Sequence, residues 1–231
     1  MSAPQARTAL VAGASGLVGG HLLAVLLEAP EYARVYALSR RPLATEHPRL
    51  ANRIVRFGQL GAQIAGLRCD DAFCCLGTTL REAGSREAFR SVDCGHVLEF
   101  AHAARAAGAR RLVVVSSVGA DARAKAFYLR VKGEMEEGLT GAGFTSLDIL
   151  QPSLLLGWRR ELRAVELAAG LTLPLVNPLL RGSVARFRAI PARTVAAAML
   201  GAARSGRRGV YRYTWDGIQQ LATAKPPRAM A

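Results

Sequence analysis

Thr8-Ala9-Leu10-Val11-Ala12 is apolar at almost every position, as a strand covered on both faces requires. Leu17 to Leu27 follows with the apolar content of a packed helix. Further apolar runs predict strands at Val35 to Leu38, Ile54 to Phe57, Ala72 to Leu76 and Leu112 to Ser116, with helical stretches between most of them. Residues 81 to 107 carry Phe89, Val92, Val97, Leu98, Ala101 and Ala104 at helix-like spacing, and Gly108 ends the run. Asp121 to Leu139 reads as a helix with Asp121 as its N-cap. Beyond Gly143 come a strand at Thr145 to Leu150, a region broken by Pro152, Pro174, Pro178 and Pro191, a helix at Arg193 to Arg204 and a strand at Gly209 to Tyr213. Strands alternating with helices imply a parallel, doubly wound α/β sheet with right-handed crossovers. Such a sheet binds its ligand beyond the carboxyl ends of its strands, where Gly13, Arg40, Gly77 and Ser116 all fall.

The turn after the first strand, Gly13-Ala14-Ser15-Gly16-Leu17-Val18-Gly19, links strand to helix with three glycines at G-x-x-G-x-x-G spacing, where classical dinucleotide dehydrogenases show G-x-G-x-x-G. Gly13 permits the tight turn, Gly16 lets the backbone approach a pyrophosphate, and Gly19 lets helix and strand pack closely. The N–H groups of residues 16 to 18 are then expected to face the phosphates, with Ser15 beside them. At the next strand end an NAD site carries a carboxylate for the ribose hydroxyls, but this chain has Ser39-Arg40-Arg41. Two guanidiniums and a hydroxyl suit a 2′-phosphate, so NADP(H) is expected over NAD(H).

Tyr128 and Lys132 stand one helical turn apart and share a face. A phenol is a poor acid-base group at neutral pH until a nearby positive charge favours the phenolate. The chain has only three lysines, Lys125, Lys132 and Lys225, among 31 basic residues, so a lysine at this spacing is a selective choice. Ser116 and Ser117 end a strand, where a hydroxyl can steady a developing alkoxide; alternation allows one of them to face the cleft. Thr78 and Thr79 follow Gly77 at another strand end and either contact the cofactor or cap the next helix.

The ordered set Gly13 to Gly19, Phe73-Cys74-Cys75-Leu76-Gly77-Thr78-Thr79, Ser116-Ser117-Val118-Gly119-Ala120-Asp121, Tyr128-x-x-x-Lys132-Gly133-Glu134 and Gln151-Pro152-Ser153-Leu154-Leu155-Leu156-Gly157 resembles extended and atypical short-chain dehydrogenases/reductases. It looks most like the Tat-interacting tumour-suppressor branch and is also similar to NAD-dependent epimerase/dehydratase proteins. The resemblance spans about residues 7 to 215. It implies a Rossmann fold and hydride transfer between a nicotinamide and a carbonyl or alcohol. Tyr128 would be the acid-base catalyst, Lys132 would tune it and hold cofactor ribose, and Ser117 is slightly favoured over Ser116 for the carbonyl. Cofactor contacts would come from Cys75, Leu76, Gly77 and Thr78 and from Pro152, Ser153 and Leu154 beside the nicotinamide. The chain departs from the pattern at the active-site asparagine of the wider superfamily, which has no evident counterpart. The same resemblance keeps a second function class open: an NADP(H)-sensing protein that regulates a protein partner.

At 231 residues and 51% hydrophobic content the chain can bury one full core. The dinucleotide-binding domain is expected over residues 1–215, with a substrate-facing subregion at about 151–192 and a loose tail at 216–231. Trp158, Leu162, Leu171, Leu173, Leu175 and Val176 in that subregion suit an apolar pocket wall or a core equally, and the small-molecule substrate is unreadable. Cys69, Cys74, Cys75 and Cys94 lack metal-ligand spacing, and the four histidines are scattered, so no metal site is expected. A net charge of +14 attracts phosphates of any origin. Its arginines are spread and not interleaved with aromatics, which argues against nucleic acid as the main partner. The absence of an apolar run of about 18 residues and of a secretion signal suggests a cytoplasmic protein without a membrane partner. In many relatives of this fold the helices corresponding to residues 81–107 and 121–139 form dimer faces, so the resemblance allows a homodimer that nothing in the sequence demands.

Overall fold

The computed structural model of the chain describes residues 6–156 and 182–224. Seven strands pair in parallel throughout: β1 (Arg7–Ala12), β2 (Tyr32–Ser39), β3 (Leu50–Ile54), β4 (Asp71–Cys74), β5 (Arg111–Val115), β6 (Ser146–Leu150) and, last in the sequence, β9 (Gly209–Tyr213). Their order is β3-β2-β1-β4-β5-β6-β9, so the chain reverses its direction of winding between β1 and β4. A short pair, β7 (Leu155–Leu156) and β8 (Ile190–Pro191), lies outside this sheet. This is the expected Rossmann-type α/β fold.

Strand alternation builds two cores. Ala9, Val11, Val35 and Ala37 point to one face, where α1 (Leu17–Glu28), α7 (Ala192–Arg204) and α8 (Trp215–Thr223) pack; Leu22, Leu26, Val195 and Ile218 are fully buried there. Leu10, Ala12, Leu112 and Val114 point to the other, covered by α2 (Leu60–Gln63), α5 (Val97–Ala106) and α6 (Phe127–Thr140). Burial on both faces is why these strands are apolar at successive positions.

Four expectations need correction. The third strand is Leu50–Ile54, not Ile54 to Phe57. As an edge strand it is only partly covered, and Asn52 bonds the Ala37 carbonyl within it, so hydrophobicity does not mark it. Residues 81 to 107 are not one helix: α3 (Leu80–Ala83) ends at left-handed Gly84, and α4 (Arg86–Arg90) then runs through a π-helical turn at Ser91–His96 into α5. The Tyr-Lys helix begins at Phe127 rather than Asp121. The segment before it folds back onto the helix at Gly133, where a Cβ would lie 2.0 Å from the Ala122 nitrogen, and Asp121 instead accepts the Arg123 N–H. Residues 216–223, expected as the start of a tail, belong to α8, whose Leu221 carbonyl lies where a Cβ on Gly201 would be, 2.1 Å away. Among the described residues no helix is long and apolar enough to cross a membrane.

Candidate nucleotide and carbonyl site

The reversal between β1 and β4 brings the glycine turn against the end of β4. Gly13 adopts φ 82°, and a Cβ there would sit 2.5 Å from the Cys75 carbonyl oxygen. A Cβ on Gly19 would lie 2.0 Å from the Gly13 oxygen, whereas one on Gly16 would meet only that oxygen, at 3.2 Å. Gly13 and Gly19 are therefore demanded by the protein's own packing, whereas at Gly16 the Gly13 oxygen would have to give by only a few tenths of an ångström. Gly16 is the N-cap of α1, without a side-chain cap and without an acidic residue in the first turn. One correction applies here: the Gly16 N–H donates to Gly13 O at 3.0 Å. The first-turn donors left for an anion are those of Leu17, Val18 and Gly19. Ser15 is exposed, and the Val18 side chain belongs to the core. This cradle fits a pyrophosphate.

Ser39 is not a free phosphate ligand. Its hydroxyl donates to Arg41 O at 2.6 Å and accepts from Asn52 Nδ2 at 2.7 Å, while Asn52 Oδ1 takes the Leu43 N–H, so the pair shapes the turn instead. Arg40 and Arg41 are exposed. Arg40 joins Arg56, His96, Ile54, Val55 and Phe57 around a groove of about 460 Å³, with the His96 ring stacked on Phe57 at 4.7 Å. Burial and the Arg40 charge hold His96 below the ordinary histidine value, with Glu99 opposing. Three basic side chains around an apolar, aromatic floor suit a planar base bearing a phosphate. Arg56 and His96 carried no sequence signal for this role.

At the end of β4, Cys75 and Leu76 are partly buried and Gly77 is exposed. The Thr78 N–H donates to Asp93 Oδ2 at 2.8 Å, and Thr79 takes the capping alternative, forming a capping box with Glu82 on α3. All four cysteines carry free thiols, and among the described residues no group of His, Cys, Asp and Glu is arranged to hold a metal.

Tyr128 and Lys132 lie on α6 as the spacing predicts. Tyr128 is 37% exposed, with its ring 5.6 Å from Phe89. The Lys132 side chain is 5% exposed, and its ammonium pairs with Asp93 Oδ1 at 2.7 Å. The serines diverge. Ser116 donates to Glu136 Oε1 at 2.6 Å in a buried network, which corrects the expectation that it could serve the cleft. Among the described residues the Ser117 hydroxyl has a single, long contact, to Val118 O at 3.5 Å. Glu136 also receives Gln151 Nε2 at 2.8 Å and Arg212 Nε at 2.8 Å. Asp93 and Glu136 were both missed in the sequence; Glu136 had a signal, since it continues the Tyr128, Lys132 stripe by another four residues.

The turn after β6 is tied down on both sides. Pro152 O accepts the Val118 N–H at 3.0 Å, the Ser153 hydroxyl donates to Arg188 O, and Leu154 O accepts the Ile190 N–H at 2.9 Å. Ser153 therefore has its hydroxyl proton committed to the protein. Trp158, Leu162, Leu171, Leu173, Leu175 and Val176 lie outside the described residues.

A family model described as the NAD dependent epimerase/dehydratase family matches residues 9–127. The mitochondrial protein fmp52 of Aspergillus clavatus is 37% identical over 172 residues, covering 71% of this chain and 72% of the relative. Protein HTATIP2 of Rattus norvegicus is 36% identical over 166 residues, covering 70% and 68%. Among solved structures, MoeE5 with UDP-glucose and NAD is 18% identical with TM-score 0.65, covering 90% of this chain and 76% of that one. WbmH of Bordetella bronchiseptica with NAD+ is 14% identical with TM-score 0.67, covering 90% and 75%. Several relatives are named mitochondrial, which overturns the cytoplasmic expectation; that expectation rested on the absence of a long apolar run and of a secretion signal, neither of which tells one internal compartment from another. The chain belongs to the NAD dependent epimerase/dehydratase family, a family that binds nicotinamide cofactors, and stands with HTATIP2 among the atypical short-chain dehydrogenases/reductases.

Proposed function

We propose that the protein is an NADPH-dependent oxidoreductase acting on a carbonyl or alcohol. The observation that carries the reading is the placement of Tyr128 and Lys132 on one face of α6, with Lys132 reaching the Gly77–Thr78 strand end at the switch point. The α1 N-terminus would hold the pyrophosphate through the backbone of Leu17, Val18 and Gly19. The groove of Arg40, Arg56 and His96 would take the phosphorylated adenosine end, Arg40 and Arg41 remaining the cations nearest the β2 terminus. When bound, the nicotinamide supplies or accepts the hydride. The Tyr128 hydroxyl, which has no hydrogen-bond partner among the described residues, would pass the proton to or from the substrate oxygen, and the Ser117 hydroxyl would donate to that oxygen. Pro152, Ser153 and Leu154 would flank the nicotinamide, with Cys75 to Thr78 along the opposite wall.

The test is titration of the full chain with NADPH and NADH, followed by NADPH oxidation against a panel of carbonyls. Tight NADPH binding with turnover that Tyr128→Phe abolishes and Arg40→Asp weakens for NADPH far more than for NADH is the expected result. Tight binding without turnover on any carbonyl would favour the sensing role instead, and equal losses for both cofactors in Arg40→Asp would remove the phosphate preference.

A further inference from the structure

α4, the π-helical turn and α5 form one continuous rod that packs beside α6. The two rods meet in matched steps. Phe89 faces Tyr128, with rings 5.6 Å apart; four residues on, Asp93 faces Lys132 at 2.7 Å; further along, Leu98 fills the space that a side chain on Gly138 would need. The π-helical turn widens the rod where Asp93 leaves it, and such turns occur frequently at functional sites. Asp93 is 1% exposed. Its second oxygen takes the Thr78 N–H at 2.8 Å, and a Cβ on Gly77 would lie 3.5 Å from its first oxygen and 3.9 Å from the Lys132 nitrogen. One carboxylate thus joins the Tyr-Lys helix to the strand end at which the cofactor is expected.

We propose that Asp93 is the positioning residue of this site: it keeps the buried Lys132 ammonium charged and fixed beside Gly77, so that Asp93, Lys132 and Tyr128 act as one unit. The inference rests on the oxidoreductase reading for what the unit does, but not for the pairing itself.

A buried ammonium without a counter-charge tends to give up its proton, and a buried charge that loses its partner destabilises the fold. Around Lys132 the candidates for that counter-charge are few. Asp93 and Cys94 face it from the π-helical turn and Cys74 from the end of β4, while Tyr128 and Glu136 stand on its own helix. Burial pushes the Cys74 thiol up to about 12 and raises Cys94, so both are neutral at physiological pH. Glu136 is already occupied by Ser116, Gln151 and Arg212. Among the described residues Asp93 is the carboxylate paired with Lys132.

With only three lysines in the chain, lysine carrying 13C at Cε gives three NMR signals, and Lys132→Arg identifies the one that matters. In full-length Asp93→Asn, the Lys132 signal should show proton affinity about a hundredfold lower than in the unmutated protein. An unchanged titration overturns the proposal. If Asp93→Asn does not fold, the double variant Asp93→Asn/Lys132→Met, which carries no lone buried charge, should fold; failure of the double variant also overturns it. Asp93→Glu keeps the charge but moves it, and should weaken NADPH binding about tenfold or more with Lys132 still protonated; binding equal to the unmutated protein removes the positioning role. The lysine signal needs neither NADPH nor a carbonyl, so a shifted titration without turnover would sink the oxidoreductase and leave the Asp93–Lys132 unit standing.

Discussion

Alanine at each glycine of the first turn separates a folding requirement from a binding one. At Gly13, alanine must adopt φ 82°, which costs an L-residue about 1–2 kcal/mol. Its Cβ would also press within 2.5 Å of the Cys75 oxygen and 2.6 Å of the Cys75 carbon, backbone atoms held in the sheet, and overpacking of that kind costs about 1–3 kcal/mol. The two effects together give about 2–5 kcal/mol, a large share of the roughly 5–15 kcal/mol of a typical domain. Gly16→Ala meets only one atom, at 3.2 Å and with ordinary φ −82°, and should lose about 1 kcal/mol or less as a weaker N-cap. If Gly16 is the residue that lets a pyrophosphate approach, its alanine variant should nevertheless bind NADPH about a hundredfold more weakly, equivalent to about 2.7 kcal/mol. Urea denaturation of both variants alongside calorimetric titration with NADPH reads both quantities. Gly16→Ala binding NADPH like the unmutated protein would refute the placement of the pyrophosphate. A Gly13→Ala variant of undiminished stability would refute the close packing at the switch point.

The two strand-end serines should part in the same way. Ser116→Ala removes a charge-assisted hydrogen bond to buried Glu136 and should cost about 1.5–3 kcal/mol of stability, whereas Ser117→Ala should leave stability within about 0.5 kcal/mol and lower turnover about a hundredfold. Reversed effects in denaturation and turnover assays would exchange their roles. Midway along β6, burial raises the Asp148 carboxyl above its ordinary value, with hydrogen bonds from Ser146 and Tyr213 opposing. At pH values between the unfolded and the folded value, the folded chain therefore holds a proton that the unfolded chain has lost. Stability contributed by this group is intact below the unfolded value and declines as pH rises from there through the folded value. Asp148→Asn should flatten that slope in urea midpoints measured across mildly acid pH, and an unaltered slope would acquit Asp148.

The fold was legible because a parallel sheet buried on both faces writes itself as continuous apolar runs, and because Gly13 and Gly108 mark turns that need left-handed backbone; Gly84, equally left-handed, was passed over inside a stretch whose apolar spacing reads as one helix. β3 was misplaced because an edge strand has little apolar signature and is held here by Asn52. Asp121 looked like a cap by type, yet tertiary contact at Gly133 draws that segment over the helix. Hydroxyls were the weakest evidence. Ser39, Ser116 and Ser153 each had a plausible ligand role, and in each the hydroxyl proton goes to a partner set by the fold: Arg41 O, Glu136 and Arg188 O. Asp93 had no local signal, since its meaning depends on two helices in register and on a π-helical turn that no spacing rule encodes.

The stripe Tyr128, Lys132, Glu136 shows how one helix sorts chemically similar opportunities into different uses. All three share a face by spacing, yet exposure falls from 37% at Tyr128 to 4% at Lys132 and 3% at Glu136. The second half of α6 lies over the sheet, with Met135 and Leu139 in the core, while its start reaches the α4 side of the cleft. Depth then dictates need. A buried ammonium requires a counter-ion and finds Asp93; a buried carboxylate requires several donors and finds them at the ends of β5, β6 and β9. Those bonds fix α6 against three neighbouring strands and thereby fix where Tyr128 stands. The tyrosine hydroxyl is the group on the stripe that the fold leaves unengaged among the described residues, which is the ground for proposing it as the proton donor.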